Sequence, residues 1–183
     1  MATPTFANAR RPNGQLSSCF VDTPPDDSIN GIFDGLTTFA KVSQNGGGMG
    51  VYIGKLRALG SDIRGGYKNA GSGGVIPWVR LYNDTAVSVN QLGGQRAGAV
   101  SIWLDIWHKD IIDFLDIKTN NGDERRKAHD IFPGICVPDR FYRSLEKNET
   151  WYLFDPHEIL QKKGWALRTP GGERSGRGGT RSA

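Results

Sequence analysis

Short apolar runs alternate along this chain with stretches whose apolar residues recur at helical spacing, and that alternation narrows the fold more than any other feature. Residues 16–22 (LSSCFVD) read as a short strand. Asp27 or Ser28 can cap the helix that follows, which places Ile29, Ile32, Phe33, Leu36, Phe39 and Ala40 on one face. A strand is expected over 49–53, then a helix over 75–90 with Ile76, Val79, Tyr82, Ala86 and Val89 facing inward. Further strands are expected over 99–104, over the apolar run 131–137, which reads as buried, and over 151–154. Helices are expected near 109–116 and 139–147. About five strands interleaved with helices predict an α/β fold with a mostly parallel sheet. In such folds the loops after the carboxyl ends of strands build the ligand site. Two of the connections here, 57–74 and 93–98, are rich in glycine, which suits close approach of backbone to a ligand.

The two ends read differently. Pro4 and Pro12 make residues 1–15 extended or turn-like rather than helical. After Leu167 no large apolar residue occurs, so 168–183 is expected to be a disordered Arg/Gly-rich tail behind a folded unit spanning 1–167. A native tail and the product of a shifted reading frame both fit that change of character.

Charge excludes less than it first suggests. The net charge is +4, but Arg168, Arg174, Arg177 and Arg181 against Glu173 supply +3 of it within the last twenty residues. The remaining body is close to neutral with its signs interspersed, so no basic face for nucleic acid is indicated. Binding of RNA through the tail is left as a competing class, carried only by Arg177-Gly178-Gly179. No apolar run approaches the roughly 20 residues a membrane span needs, and the first residues lack the apolar core of a secretory signal. A cytoplasmic protein is expected.

Several familiar signatures fail. A P-loop would need glycine at 49 and a hydroxyl at 56, where Met49 and Leu56 stand. The dinucleotide pattern breaks at Val51 or at Ile53. His108, His129 and His157 are scattered, and Cys19 and Cys136 are too far apart in sequence for a zinc spacing, so no metal site is expected.

What holds is a series of six blocks in order: Ser17-Ser18-Cys19 after a Thr-Pro segment; the turn from Ser43-Gln44 to Gly50; the run from Leu56 through Arg57 and Asp62 to Arg64-Gly65; Gly93-Gly94-Gln95-Arg96-Ala97-Gly98; Trp107-His108 before Asp110; and Asp155-Pro156-His157-Glu158. Across roughly 1–165 this series resembles the large subunit of class I ribonucleotide reductase. The resemblance implies the first half, about five strands, of a ten-stranded α/β barrel. It also implies reduction of ribonucleoside diphosphates to deoxyribonucleotides by thiol and radical chemistry.

By position Cys19 resembles the first of the two cysteines that reduce the 2′ carbon and end as a disulfide; on the residues alone it could equally be a small buried hydrophobe. Thr3 and Ser18 match positions that hold the substrate phosphates, although Thr3 also reads as a frayed terminus. Gly47 and Gly48 match the turn whose backbone approaches the ribose. Arg57 and Arg64 match basic positions around a loop that binds a deoxynucleoside triphosphate effector, a task that suits the planar guanidinium fork, or they are solvated loop arginines. Asp26 matches a contact to the effector ribose, with Asp26 and Asp27 left ambiguous. Arg96 matches the reporter in a loop that carries effector identity to the substrate base; the same stretch also reads as an ordinary connection. Cys136 reads as a core thiol, and Trp103, Trp107, Trp151 and Trp165 as packing.

The resemblance further implies no cofactor on this chain and a radical supplied by a small metal-containing subunit. It implies a dNTP or ATP effector, thioredoxin or glutaredoxin as reductant, and a homodimer. The radical cysteine and the second reducing cysteine find no match in this sequence, so the isolated chain is expected to be inactive. The alternative is a non-catalytic, deoxynucleotide-binding remnant.

Overall fold

A computed structural model describes residues 2–12, 14–22, 25–63, 71–90 and 97–164. Arg64, Arg96 and the expected tail at 168–183 lie outside the described residues.

The elements run in the order α1 (Thr3–Asn8), β1 (Cys19–Val21), α2 (Ile29–Gln44), β2 (Gly48–Tyr52), β3 (Leu59–Asp62), β4 (Gly71–Gly73), α3 (Ile76–Asn90), β5 (Ala99–Asp105), α4 (Ile111–Leu115), β6 (Phe132–Cys136), α5 (Asp139–Glu146) and α6 (Pro156–Lys163). Four strands form one parallel sheet in the order β1-β2-β5-β6, and β3 pairs antiparallel with β4 as a separate hairpin. The α/β expectation with a parallel sheet therefore holds, with four strands in that sheet.

Strand parity sets what the sheet can do. Phe20, Met49 and Val100 lie abreast in the register, and Val51 lies beside Ile102. These side chains point to one face, where Ile32 and Phe39 of α2 and Val79, Tyr82 and Ala86 of α3 complete the core. Residues of the other parity, Cys19, Gly48 and Ala99, lie abreast on the opposite face, followed by Val21, Gly50, Ser101 and Phe132. Parallel sheets are usually covered on both faces. Here Cys19, Val21, Ala99 and Trp103 are exposed on the second.

Several local expectations are corrected. Residues 3–8 are helical because Pro4 stands in the first turn, where its missing N–H costs no hydrogen bond. Thr5 Oγ1 then donates to the Leu16 carbonyl at 2.9 Å and Asn8 Nδ2 to that of Gln15 at 2.8 Å, which fastens α1 to the lead-in of β1. The stretch 57–74, expected as a loop, supplies both strands of the hairpin. The run over 131–137 is an edge strand, not a buried one: Phe132 and Pro133 are exposed and Gly134–Cys136 are half-buried. An edge tolerates a proline that cannot donate to a second neighbour. Residues 151–154 form a single bridge, His108 to Phe154, rather than a strand. On α2 the inward face is Ile32, Gly35, Phe39 and Ser43, while Ile29 and Phe33 are exposed. Cys136 is half-buried rather than a core residue.

Candidate functional site

The candidate residues fall into two groups at opposite ends of β1. At its amino end Cys19 opens the strand and is exposed. Ser18 Oγ lies 3.5 Å from Cys19 Sγ, and the Gly48 N–H donates to the Ser18 carbonyl at 2.7 Å. Cys19 is therefore directly opposite Gly48. Thr3 is in α1, which the Thr5 and Asn8 bonds hold against residues 15–16. The turn into β2 uses Gly46 at φ 76° to leave α2. Gly47 is packed tightly: a Cβ there would come within 2.5 Å of Gln15 Nε2 and 2.8 Å of Val42 Cγ1. Gly48 is open by comparison, its nearest neighbour being the Ala99 carbonyl at 3.5 Å. Cys19 and Gly48 thus lie side by side with Ala99 on the open face of the sheet, while Ser18 and Gly47 precede them in the chain and Gly47 packs against α2.

Of the two glycine-rich connections expected after the carboxyl ends of strands, 57–74 follows β2, whereas 97–98, the described end of 93–98, leads into the amino end of β5, just as the glycine turn at 46–48 leads into that of β2.

At the carboxyl end of β1 the chain turns into α2 through 25–28. Ser28 caps that helix, its Oγ accepting from the Gly31 N–H at 3.1 Å. The Arg57 guanidinium donates through Nε to Asp27 Oδ2 at 2.8 Å and through Nη1 to the Asp62 carbonyl at 2.6 Å, while the Arg57 N–H reaches Asp27 Oδ1 at 3.2 Å. Of the two adjacent aspartates, Asp27 meets Arg57, while Asp26 is exposed one residue earlier. His157 Nδ1 lies 3.7 Å from Asp27 Oδ2. A polar cleft of about 610 Å³ opens here between Arg57, Lys109, His157 and Lys162. A more apolar one of about 400 Å³ lies between Asp27, Ile32, Arg57, Gly73 and Trp78.

Sequence reasoning missed the part played by the last two blocks of the series. His108, Asp110 and Asp155 are all buried and bond to the backbone of 56–61. The signal was partly there. Asp155 followed by Pro156 is a helix cap with proline in the first turn, and Asp155 Oδ1 accepts from the His157 N–H at 3.0 Å.

Two ionisable groups near the core are shifted. Burial, and next the charge of Asp22, push the Tyr82 hydroxyl up to about 12. That hydroxyl has no hydrogen-bond partner among the described residues. Burial, and next Asp105, push the Cys136 thiol up. Among the described residues no group of three His, Cys, Asp or Glu is arranged to hold a metal ion, and no helix is long and apolar enough to cross a membrane.

Comparison with known proteins gives one consistent answer. A family model described as the ribonucleotide reductase barrel domain matches residues 17–173. The chain is 56% identical over 169 residues to the ribonucleoside-diphosphate reductase subunit alpha of Treponema pallidum, covering 91% of this chain and 20% of that protein. It is 49% identical over 174 residues to the subunit of the same name from Synechocystis, covering 95% and 22%. It is 47% identical over 157 residues to the ribonucleoside-diphosphate reductase large chain of Cryptosporidium parvum, covering 86% and 19%. The chain thus spans about a fifth of the length of these relatives.

Proposed function

Because this chain belongs to the ribonucleotide reductase barrel-domain family, we propose that it supplies the Cys19 side of the active site of a ribonucleoside-diphosphate reductase large subunit. The observation that carries this reading is the exposed thiol of Cys19 directly opposite Gly48, with the Ser18 hydroxyl beside it. Glycine opposite the thiol leaves room for a ribose, and Ser18 with Thr3 offers hydroxyl donors to its phosphates. Arg96 completes the substrate side. In the net reaction the ribonucleotide loses its 2′-hydroxyl as water, and two thiols give up two electrons to become a disulfide; Cys19 is one of them. Asp26, with its neighbour Asp27, and Arg57 and Arg64 bind a deoxynucleoside triphosphate effector. A separate metal-containing subunit supplies the radical, and thioredoxin or glutaredoxin restores the thiols. The assembled enzyme is a cytoplasmic homodimer.

The chain does not turn over by itself. Its other cysteine, Cys136, lies on the opposite edge of the sheet. Three strand spacings across the sheet, and the rise along β5 from Ala99, level with Cys19, to Asp105, level with Cys136, put the two roughly 24 Å apart, well beyond disulfide reach. This also supports the second reading, a nucleotide-binding chain without chemistry of its own.

Iodoacetamide labelling tests the proposal. Cys19 should alkylate well before Cys136, and a ribonucleoside diphosphate such as CDP should slow the Cys19 reaction. If saturating CDP leaves the Cys19 rate unchanged, the substrate assignment fails. If disulfide forms and deoxynucleotide appears with this chain and a radical-generating subunit alone, the inactivity of the isolated chain is refuted.

A further inference from the structure

The segment 56–61 leaves β2, carries Arg57 and opens the hairpin, yet much of its polar backbone is satisfied by side chains from remote parts of the chain. His108 Nδ1 accepts from the Asp110 N–H at 3.1 Å, which leaves the ring proton on Nε2 to be donated to the Leu56 carbonyl at 2.9 Å. Both carboxylate oxygens of Asp110 accept from the Leu59 N–H, at 3.0 and 3.1 Å, and Oδ2 also accepts from the Val75 N–H at 3.0 Å. Asp155 Oδ1 accepts from the Ala58 N–H at 3.3 Å, and its Oδ2 accepts from the Ser61 hydroxyl. The three side chains are at most 6% exposed.

A hairpin base can be closed by backbone bonds alone. Burying two carboxylates there carries a desolvation cost that only several charge-assisted hydrogen bonds offset. Their bonds converge on Ala58 and Leu59, the two residues after Arg57. Arg57 itself spends three of its five N–H donors on Asp27 and the Asp62 carbonyl, and the other two have no partner among the described residues. Its side chain is only 21% exposed. Such an arginine is held in one orientation before any ligand arrives.

We infer that Asp110 and Asp155 are positioning residues for the effector site: they fix the backbone beside Arg57 so that its free N–H groups meet the phosphates of a deoxynucleoside triphosphate. This rests on the reading of Arg57 as an effector contact.

The test uses the full chain, with dTTP as probe. Asp110→Asn and Asp155→Asn each keep the shape but turn an acceptor oxygen into a donor. We expect each to weaken dTTP binding about tenfold or more, in line with loss of a hydrogen bond to a charged group. Each should also shift or broaden the Arg57 Nε–H signal in a ¹⁵N spectrum, while the rate of Cys19 alkylation at the other end of β1 stays as in the wild type. On an Arg57→Ala background the same substitutions should cause no further loss, which a general structural role would not produce. If Asp110→Asn fails to fold, Ser61→Ala removes one Asp155 bond and leaves both carboxylates; it should show the same pattern at about two- to fivefold. Wild-type binding of dTTP with unchanged binding by the folded variants overturns this inference alone, as do losses that add to that of Arg57→Ala. Absence of dTTP binding by the wild type overturns the effector reading of Arg57 and this inference with it.

Discussion

Cys19 and Gly48 face each other across the parallel pair β1–β2, with the Gly48 N–H tied to the Ser18 carbonyl at 2.7 Å. The neighbouring glycines of that turn have different reasons to be glycine. A Cβ at Gly48 meets only ordinary contacts at 3.5 Å and beyond, whereas one at Gly47 collides with Gln15, Val42 and Phe20. Gly48→Ala should therefore fold with an unchanged melting temperature and lose CDP protection of Cys19. Gly47→Ala should cost about 1–3 kcal/mol of stability through overpacking. Thermal melts paired with alkylation rates check both.

The Tyr82 hydroxyl gives a pH dependence. In the unfolded chain it ionises near 10, and in the fold burial and Asp22 push it up to about 12. Below pH 10 both states are protonated and the group adds nothing to the slope. Between the two values the unfolded state alone loses its proton, so stability falls as pH rises, by about 2–3 kcal/mol in all. Tyr82→Phe should flatten that loss in denaturant titrations from pH 9 to 12. At pH 7 it should be neutral or slightly stabilising, because the hydroxyl it removes has no hydrogen-bond partner among the described residues.

Ser28 caps the amino end of α2, its Oγ accepting from the Gly31 N–H. Ser28→Ala should lower stability by about 1 kcal/mol, and Ser28→Asp should restore it. Because Asp27 precedes the cap and holds Arg57, the alanine variant should also raise the Kd for dTTP, read by calorimetry.

Among the described residues β1 and β6 are the outermost strands of the sheet, and they carry the exposed Val21 (91%) and Phe132 (61%). Unpaired strand edges of this kind invite association. The double variant Val21→Lys, Phe132→Lys should stay monodisperse in light scattering at concentrations where the wild type forms larger species. Equal association by both would show that other surfaces drive it.

How much of this was legible in the sequence depends on where each element gets its stability. The helix 76–90 and the strand 99–105 declare themselves, because their own apolar pattern buries them. Ser28 was one of two candidate caps, and the helix begins where it requires. The helix 3–8 was hidden because Pro4 reads as a breaker unless it is known to stand in the first turn. The hairpin was hidden more deeply. LGSD and GSG have little strand propensity, and the carboxylates that hold the first of these strands and its lead-in come from 51 and 97 residues away in sequence. The candidate site divided in the same way. Cys19, Ser18, Gly47 and Gly48 are close in two short blocks, and a single pair of strands brings them together. That Asp27, and not Asp26, pairs with Arg57 depends on the path of the turn into α2, which two adjacent aspartates cannot reveal. Arg64 and Arg96 lie outside the described residues.

Because one carboxylate, that of Asp110, bonds both Leu59 at the start of the hairpin and Val75 just past its end, the base of the hairpin is a closed ring whose size does not depend on what lies at the tip. A shared acceptor makes the two ends of the hairpin tighten and loosen together: whatever frees Val75 at the head of α3 also frees Leu59, two residues after Arg57.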